Sequence, residues 1–320
     1  MKSESRGLAP TSAAVPVPLR SETLHASRFT SHESQVGRRG SLSYEFEREG
    51  PRTILSRSSC TTPWHHFPPS YLDDSGCANT WLVNQSGGLV GGDHLSVEAE
   101  LHAGTHVLMT SPSANRVYRS LAETALQEVR LSVGPDARLE WLPEVTIPFA
   151  GSRFRQSIHV DLAPGATIIL WDALASGRVA KQERWAFASV ENEICIRGLA
   201  PPSEAVPVPS WSVVERYRLV PGRLPESVGF VGSWDYVASL FVIGDAVDAD
   251  VWKRLDLVIA TILEQRPGLV LGGISTPAAP GLAVKLVAKS APDLTATLEA
   301  MWAAVRKELW DLPAANLRRY

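Results

Sequence analysis

Residues 41–219 are a succession of short runs rich in β-branched and apolar side chains, with no helical spacing between them. In residues 94–101, His-Leu-Ser-Val-Glu-Ala-Glu-Leu alternates polar and apolar with period two, which sends alternate side chains to opposite faces of a strand. Similar runs occupy 41–48, 52–55, 105–110, 125–133, 138–142, 154–161, 167–171, 184–197 and 211–219. Turn residues separate them: Ala103-Gly104, Gly134-Pro135-Asp136 and Ala163-Pro164-Gly165. Many short strands without interleaved helices predict a mainly β, many-stranded body rather than a parallel α/β sheet. The runs flanking Ala103-Gly104 are expected to meet across that turn as a hairpin.

The pattern changes near Val247. A helix capped by Asp248 or Asp250 is expected, with Val251, Leu255, Val258, Ile259 and Ile262 on its apolar face and its end before Pro267-Gly268. A second helix, capped by Asp293, carries Leu294, Leu298, Met301, Trp302, Val305 and Leu309 and closes before Pro313. Strands are expected between them at 269–274 and 282–288. The body therefore spans about 41–245, and a small α+β section with two helices spans about 246–312. Residues 1–40, rich in Ser, Thr and Arg, are expected to form a flexible extension. The string Ala-Val-Pro-Val-Pro occurs at 14–18 and again at 205–209, where its stiffness suits a connection between strands.

Composition excludes several classes. A net charge of −3 provides no global basic field for nucleic acid. No run of about 18 apolar residues appears, so no conventional membrane span is expected. Three scattered cysteines, Cys60, Cys77 and Cys195, suit a reducing compartment, and a cytoplasmic protein is expected.

The stretch Gly-Gly-Leu-Val-Gly-Gly-Asp at 87–93 has strand-like sequence on both sides. A phosphate loop needs a helix beginning at its last glycine, and neither that nor a Gly-Lys-Ser/Thr is present. Gly87, Gly88, Gly91 and Gly92 thus read as backbone permission for a tight turn, leaving Asp93 as the residue to explain. There is no nucleophile elbow, and the histidines His65, His66, His94, His102 and His106 are not set as a closed zinc site. His102 and His106 flank the Ala103-Gly104 turn, where they could face one another. Carboxylates in apolar surroundings are more informative: Glu140, Asp172 and Glu215 must be paired or line water. Arg119, Arg153, Arg178 and Arg216 are the candidate partners for ion pairs. The functional alternative is a polar internal path, whose oxygen ligands could pass a divalent ion without trapping it.

Four motifs occur in order: the 87–93 stretch, Ser-Pro-Ser-Ala-Asn-Arg-Val-Tyr-Arg-Ser at 111–120, Leu-Glu-Trp-Leu-Pro-Glu at 139–144, and Gly177-Arg178 followed by Glu183. Together they resemble the urease accessory protein UreD (UreH) family. The resemblance implies a mostly β fold of β-helical or stacked-sheet character with a small helical part. It also implies a non-catalytic maturation factor that binds apo-urease and joins UreF and the GTPase UreG in delivering nickel. No tightly bound cofactor is implied, only transient nickel in an internal tunnel, with Asp93, Asp172 and Glu215 at the positions of acidic lining residues. Gly87, Gly88, Gly91, Gly92, Tyr118, Arg119, Gly177 and Arg178 carry the structural motifs. The chain departs from the family at Gln85-Ser86, where Pro-Ala is usual, at Gln182, where Gly precedes the Glu, and at its C-terminus, Asn316 to Tyr320. Two other readings compete: an enzyme with an Asp93-centred site, and a purely structural β-sheet interaction protein.

Overall fold

The computed structural model describes residues 37–200, 209–221, 232–314 and 317. The expected N-terminal extension lies outside them apart from 37–40, as do residues 205–208 of the second proline string and most of the C-terminal ending. In chain order the elements are β1 (Arg39–Glu49), β2 (Arg52–Cys60), β3 (Trp64–His65), β4 (Ala78–Trp81), β5 (Val83–Asn84), β6 (His94–Leu101), β7 (His106–Thr110), β8 (Asn115–Val117), β9 (Ala125–Val133), β10 (Arg138–Leu142), β11 (Thr146–Pro148), β12 (Arg153–Leu162), β13 (Thr167–Ala175), β14 (Ser189–Leu199), β15 (Pro209–Leu219), β16 (Tyr236–Gly244), α1 (Ala249–Glu264), β17 (Val270–Ser275), β18 (Gly281–Ala288) and α2 (Ala291–Trp310).

Two stacked sheets make up the body. The first has the order β15-β14-β12-β9-β6-β1-β2, the second β17-β18-β16-β13-β10-β7-β4 with β11 and β8 beside β13. Strands β1, β6, β9, β12 and β14 are parallel, as are β4, β7, β10 and β13, so successive turns of chain stack as in a β-helix. This corrects the expected hairpin: β6 and β7 lie in different sheets, and His102 and His106 point into different environments. A parallel neighbour requires a long return connection, and here the return runs through the opposite sheet instead of through a helix. The corners at 102–105, 134–137 and 163–166 hydrogen-bond to one another: Gly104 N–H donates to Pro135 O at 2.9 Å, and Asp136 N–H to Pro164 O at 3.2 Å. Corner backbone groups are thereby satisfied without ladder partners.

One apolar core fills the space between the sheets, with Val97, Val129, Ile158 and Ile194 among its members. A second lies between the outer face of the second sheet and the helices. β13 is buried at all nine positions because both its faces are covered, one by each core. That explains its lack of alternation.

α1 begins where expected, with Asp248 accepting from Asp250 N–H at 2.7 Å. α2 begins three residues earlier than the Asp293 expectation. Ser290 is its cap and accepts from Asp293 N–H, while its own hydroxyl donates to Asp293 Oδ2 at 2.6 Å. Pro292 fits the first turn, where its missing N–H costs nothing. The expected run 184–197 is strand only from Ser189, because 176–187 folds back on itself, with Trp185 N–H donating to Ser176 O. Among the described residues no helix is long and apolar enough to cross a membrane.

Candidate functional site

Among the described residues the interior between the sheets is mainly apolar, and one register level is strongly polar. In the first sheet Gln127, Gln156, Asn192 and Tyr217 are direct cross-strand neighbours on β9, β12, β14 and β15. The adjacent level, Val97, Val129, Ile158 and Ile194, is apolar until it ends in Glu215 on β15. Facing them from the second sheet is another register-matched set, Asp172, Ser239 and Lys285 on β13, β16 and β18. Period-two alternation on stacked parallel strands converts scattered polar residues into a continuous line along the stack.

Hydrogen bonds connect the line. Asn115 Nδ2 donates to Gln127 Oε1 at 3.3 Å, Gln127 Nε2 to Gln156 Oε1 at 3.0 Å, and Gln156 Nε2 to Asp172 Oδ1 at 2.8 Å and Asn192 Oδ1 at 3.1 Å. Asn192 Nδ2 completes the ring by donating to Asp172 Oδ2 at 3.0 Å. Burial raises the Asp172 carboxyl from 3.8 to about 6; the amide donors oppose that shift, and the Glu215 charge adds to it. Burial beside these carboxylates also pushes the Tyr217 hydroxyl well above its ordinary range. Glu215 Oε1 accepts from Ser239 Oγ at 2.8 Å, and Lys285 Nζ lies 2.6 Å from Oε2.

A cavity of about 90 Å³ opens onto the other end of this line, bordered by Gly87, Gly88, Asn115, Gln127, Gln156 and Asp172. That is room for a few waters among polar partners. The motif residues build its surroundings. A Cβ on Gly88 would come within 2.5 Å of Arg116 O, so only glycine lets these loops approach. Tyr118 Oη donates to Gly87 O at 3.1 Å, and its ring meets Phe149 edge-on. The Arg178 guanidinium lies over Phe149, 4.3 Å from the ring centre, and grips Glu183 with two nitrogens. Gly177 has φ 143, and a Cβ there would meet Glu183 O at 2.3 Å. Arg119 packs against Gly151, and Gly91 and Gly92 lead into Asp93. Gln182, just before the motif glutamate Glu183, has φ 59, a left-handed conformation.

Asp93 stands apart from the line. It is buried, and its two oxygens accept from the N–H groups of Arg38 at 2.8 Å and Val90 at 2.9 Å, which ties the start of β1 to the glycine turn. Of the three acidic residues singled out from the sequence, the fold brings Asp172 and Glu215 together and places Asp93 at a turn.

Glu140 belongs to a different cluster, in the second core. Its Oε1 is 2.7 Å from His106 Nε2 and accepts from Arg306 Nη1 at 2.8 Å, while Trp302 Nε1 donates to Oε2. Arg306 Nη2 also reaches Asp73 Oδ2 at 2.7 Å. Donor atoms of Cys77, His106 and Glu140 lie within 4.8 Å of one another. The chemistry does not suit a cation: Arg306 already holds the charge position, and burial, then the neighbouring Glu140, push the Cys77 thiol well above its ordinary value. The set Glu45, Glu100 and His102, half-buried at Glu45 and exposed at the other two, is engaged in surface pairing, with Arg57 on Glu45 at 3.0 Å. None of the four arginines expected to pair with the buried carboxylates does so; Arg306 and Lys285, distant in sequence, take that role.

The family model described as UreD urease accessory protein matches residues 38–320. The "Urease accessory protein UreD" of Deinococcus radiodurans is 39% identical over 216 residues, 66% of this chain and 74% of that protein. Proteins of the same description from Methylibium petroleiphilum and Herpetosiphon aurantiacus are 32% and 31% identical over 274 and 280 residues, covering 84% and 85% of this chain and 91% and 92% of their own lengths.

Proposed function

The chain belongs to the UreD urease accessory family, and from that membership we propose that it is a urease maturation factor that binds apo-urease, links it to UreF and UreG, and passes nickel along its interior polar line. The supporting observation is the line itself: Gln127, Gln156, Asn192 and Tyr217 face Asp172 and Ser239 at one level of a mainly apolar interior. Amide and carboxylate oxygens are hard donors that exchange a divalent ion rather than trap it, whereas a thiolate site would retain it. Nickel is cargo in this reading, and the isolated chain is expected to hydrolyse neither urea nor GTP.

A structural reading is also favoured by a specific observation, since the amides satisfy one another and could serve as a ladder that fixes strand register. The paired substitution Gln156→Leu/Asn192→Leu separates the two. If the line carries nickel, the variant co-purifies with UreF and apo-urease, and the nickel content and activity of co-expressed urease fall several-fold. An intact complex that yields fully loaded urease would overturn the path. Loss of folding, read by circular dichroism, would support the ladder.

A further inference from the structure

At the far end of the line the first sheet ends with β15, while the second continues to β18 and β17. Lys285 projects from β18 past that edge. Its side chain is 68% exposed, yet its ammonium lies 2.6 Å from Oε2 of Glu215, whose side chain is only 7% exposed. Glu215 Oε1 is held by Ser239, but Oε2 is buried and accepts no directed hydrogen bond, so the ammonium rests on it as an ionic contact alone. The charged and titratable groups around this point are Glu215 and Tyr217 from β15, Asp172 from β13 and Lys285 from β18.

We propose, building on the reading of the line as a cation path, that Lys285 is a displaceable placeholder on Glu215: its ammonium neutralises the carboxylate while the line is empty and swings into solvent when a divalent cation takes that oxygen. Lysine fits the task. It is a point charge on a flexible four-carbon stem, and it regains full hydration on release, whereas arginine would fix the carboxylate through a planar fork. Charge balance favours exchange as well. The ammonium offsets one carboxylate of the Asp172 and Glu215 pair, whereas a divalent ion offsets both.

Two measurements on the full-length chain test this, with Ni²⁺ alone as the probe. In the first, the rate at which an amine-acylating reagent modifies Lys285 is followed by mass spectrometry with and without Ni²⁺. Displacement predicts a several-fold faster reaction with Ni²⁺, and an unchanged or slower rate overturns the proposal. In the second, equilibrium dialysis compares Lys285→Met with the wild type. Affinity for Ni²⁺ is expected to rise about tenfold, and adding Glu215→Gln should abolish the gain. An affinity that does not rise in a variant of unchanged melting temperature overturns it; because the acylation assay uses the unmodified chain, misfolding of a variant leaves the test intact. Failure here combined with loss of urease nickel in Gln156→Leu/Asn192→Leu would remove the placeholder and keep the path. A positive result here combined with normal urease loading in that paired variant would remove the path and keep Glu215 as a cation site.

Discussion

Replacing Arg306 by Met should detach the last helix from the second sheet. The guanidinium is 1% exposed and is held by Glu140 at 2.8 Å and Asp73 at 2.7 Å, and it lies 5.3 Å from the Trp302 ring centre. Met keeps most of the length and apolar contact but none of the charge. Glu140, fully buried, is then left with His106 and Trp302 as its partners and without its guanidinium. Breaking a buried pair by removing one partner costs about 3–5 kcal/mol, and most of it should come from Glu140, since Asp73 is near enough to solvent to be rehydrated. At about 2 °C per kcal/mol for a domain of this size, the melting temperature should fall by roughly 6–10 °C. Urea unfolding of Arg306→Met, Glu140→Leu and the double variant forms a cycle. The double variant should cost less than the sum of the singles by about 2 kcal/mol, because the second substitution removes the charge the first one stranded. Hydrogen exchange should show the loss of protection concentrated in α2. A loss under about 1 kcal/mol, or strict additivity, would show that the clasp does not hold the helix.

Asp172 gives a pH dependence. Its folded value, about 6, lies above the ordinary 3.8, so the folded chain binds more protons than the unfolded chain between those values. Stability should therefore fall as pH rises from about 4 to 6, by on the order of 3 kcal/mol at most, and Asp172→Asn should flatten that slope; equal slopes in urea titrations of both proteins would refute it. Asp93→Ala leaves two part-buried N–H groups without their acceptor and should cost about 1 kcal/mol, with Asp93→Asn costing less because it keeps one acceptor. UreF co-purification is expected to fall in parallel with melting temperature, whereas loss of urease nickel in a fully stable complex would assign Asp93 to the path instead. Gln182→Gly should be neutral to stabilising by up to about 1 kcal/mol, since it relieves a left-handed side-chain residue; a clear loss of melting temperature would contradict this.

The sequence carried the strands well and their partners poorly. β6, β9 and β10 have the expected ends, because period-two alternation is local information. That Ala103-Gly104 turns a corner rather than closing a hairpin depends on which chain segment lies alongside, and the corners at Gly134 and Ala163 provide it. Asp172 and Glu215 stood out because carboxylates in apolar runs demand an explanation. Gln127, Gln156 and Asn192 did not, since an isolated amide in an amphipathic strand is unremarkable until the register stacks it on others. The cap of α2 was misplaced for a local reason: Asp293 suits a cap, but Ser290 three residues earlier makes it the other half of a reciprocal pair. Arg306 and Lys285 were missed because their carboxylates lie 166 residues away in one case and on a separate sheet in the other.

The register-matched interior also limits how chains of this kind can change length. A single-residue insertion within β9, β12 or β14 would invert the facing of every later side chain in that strand, putting a charged outer residue where an amide now sits and breaking the line at that rung. Insertions in the loops between β1 and β2 or between α1 and β17, where Gly50 and Gly268 have open space around them, leave the stacked levels untouched. Length variation among relatives should therefore gather in those loops and avoid the strands, and an alignment of this family that opens gaps inside β12 would be misaligned.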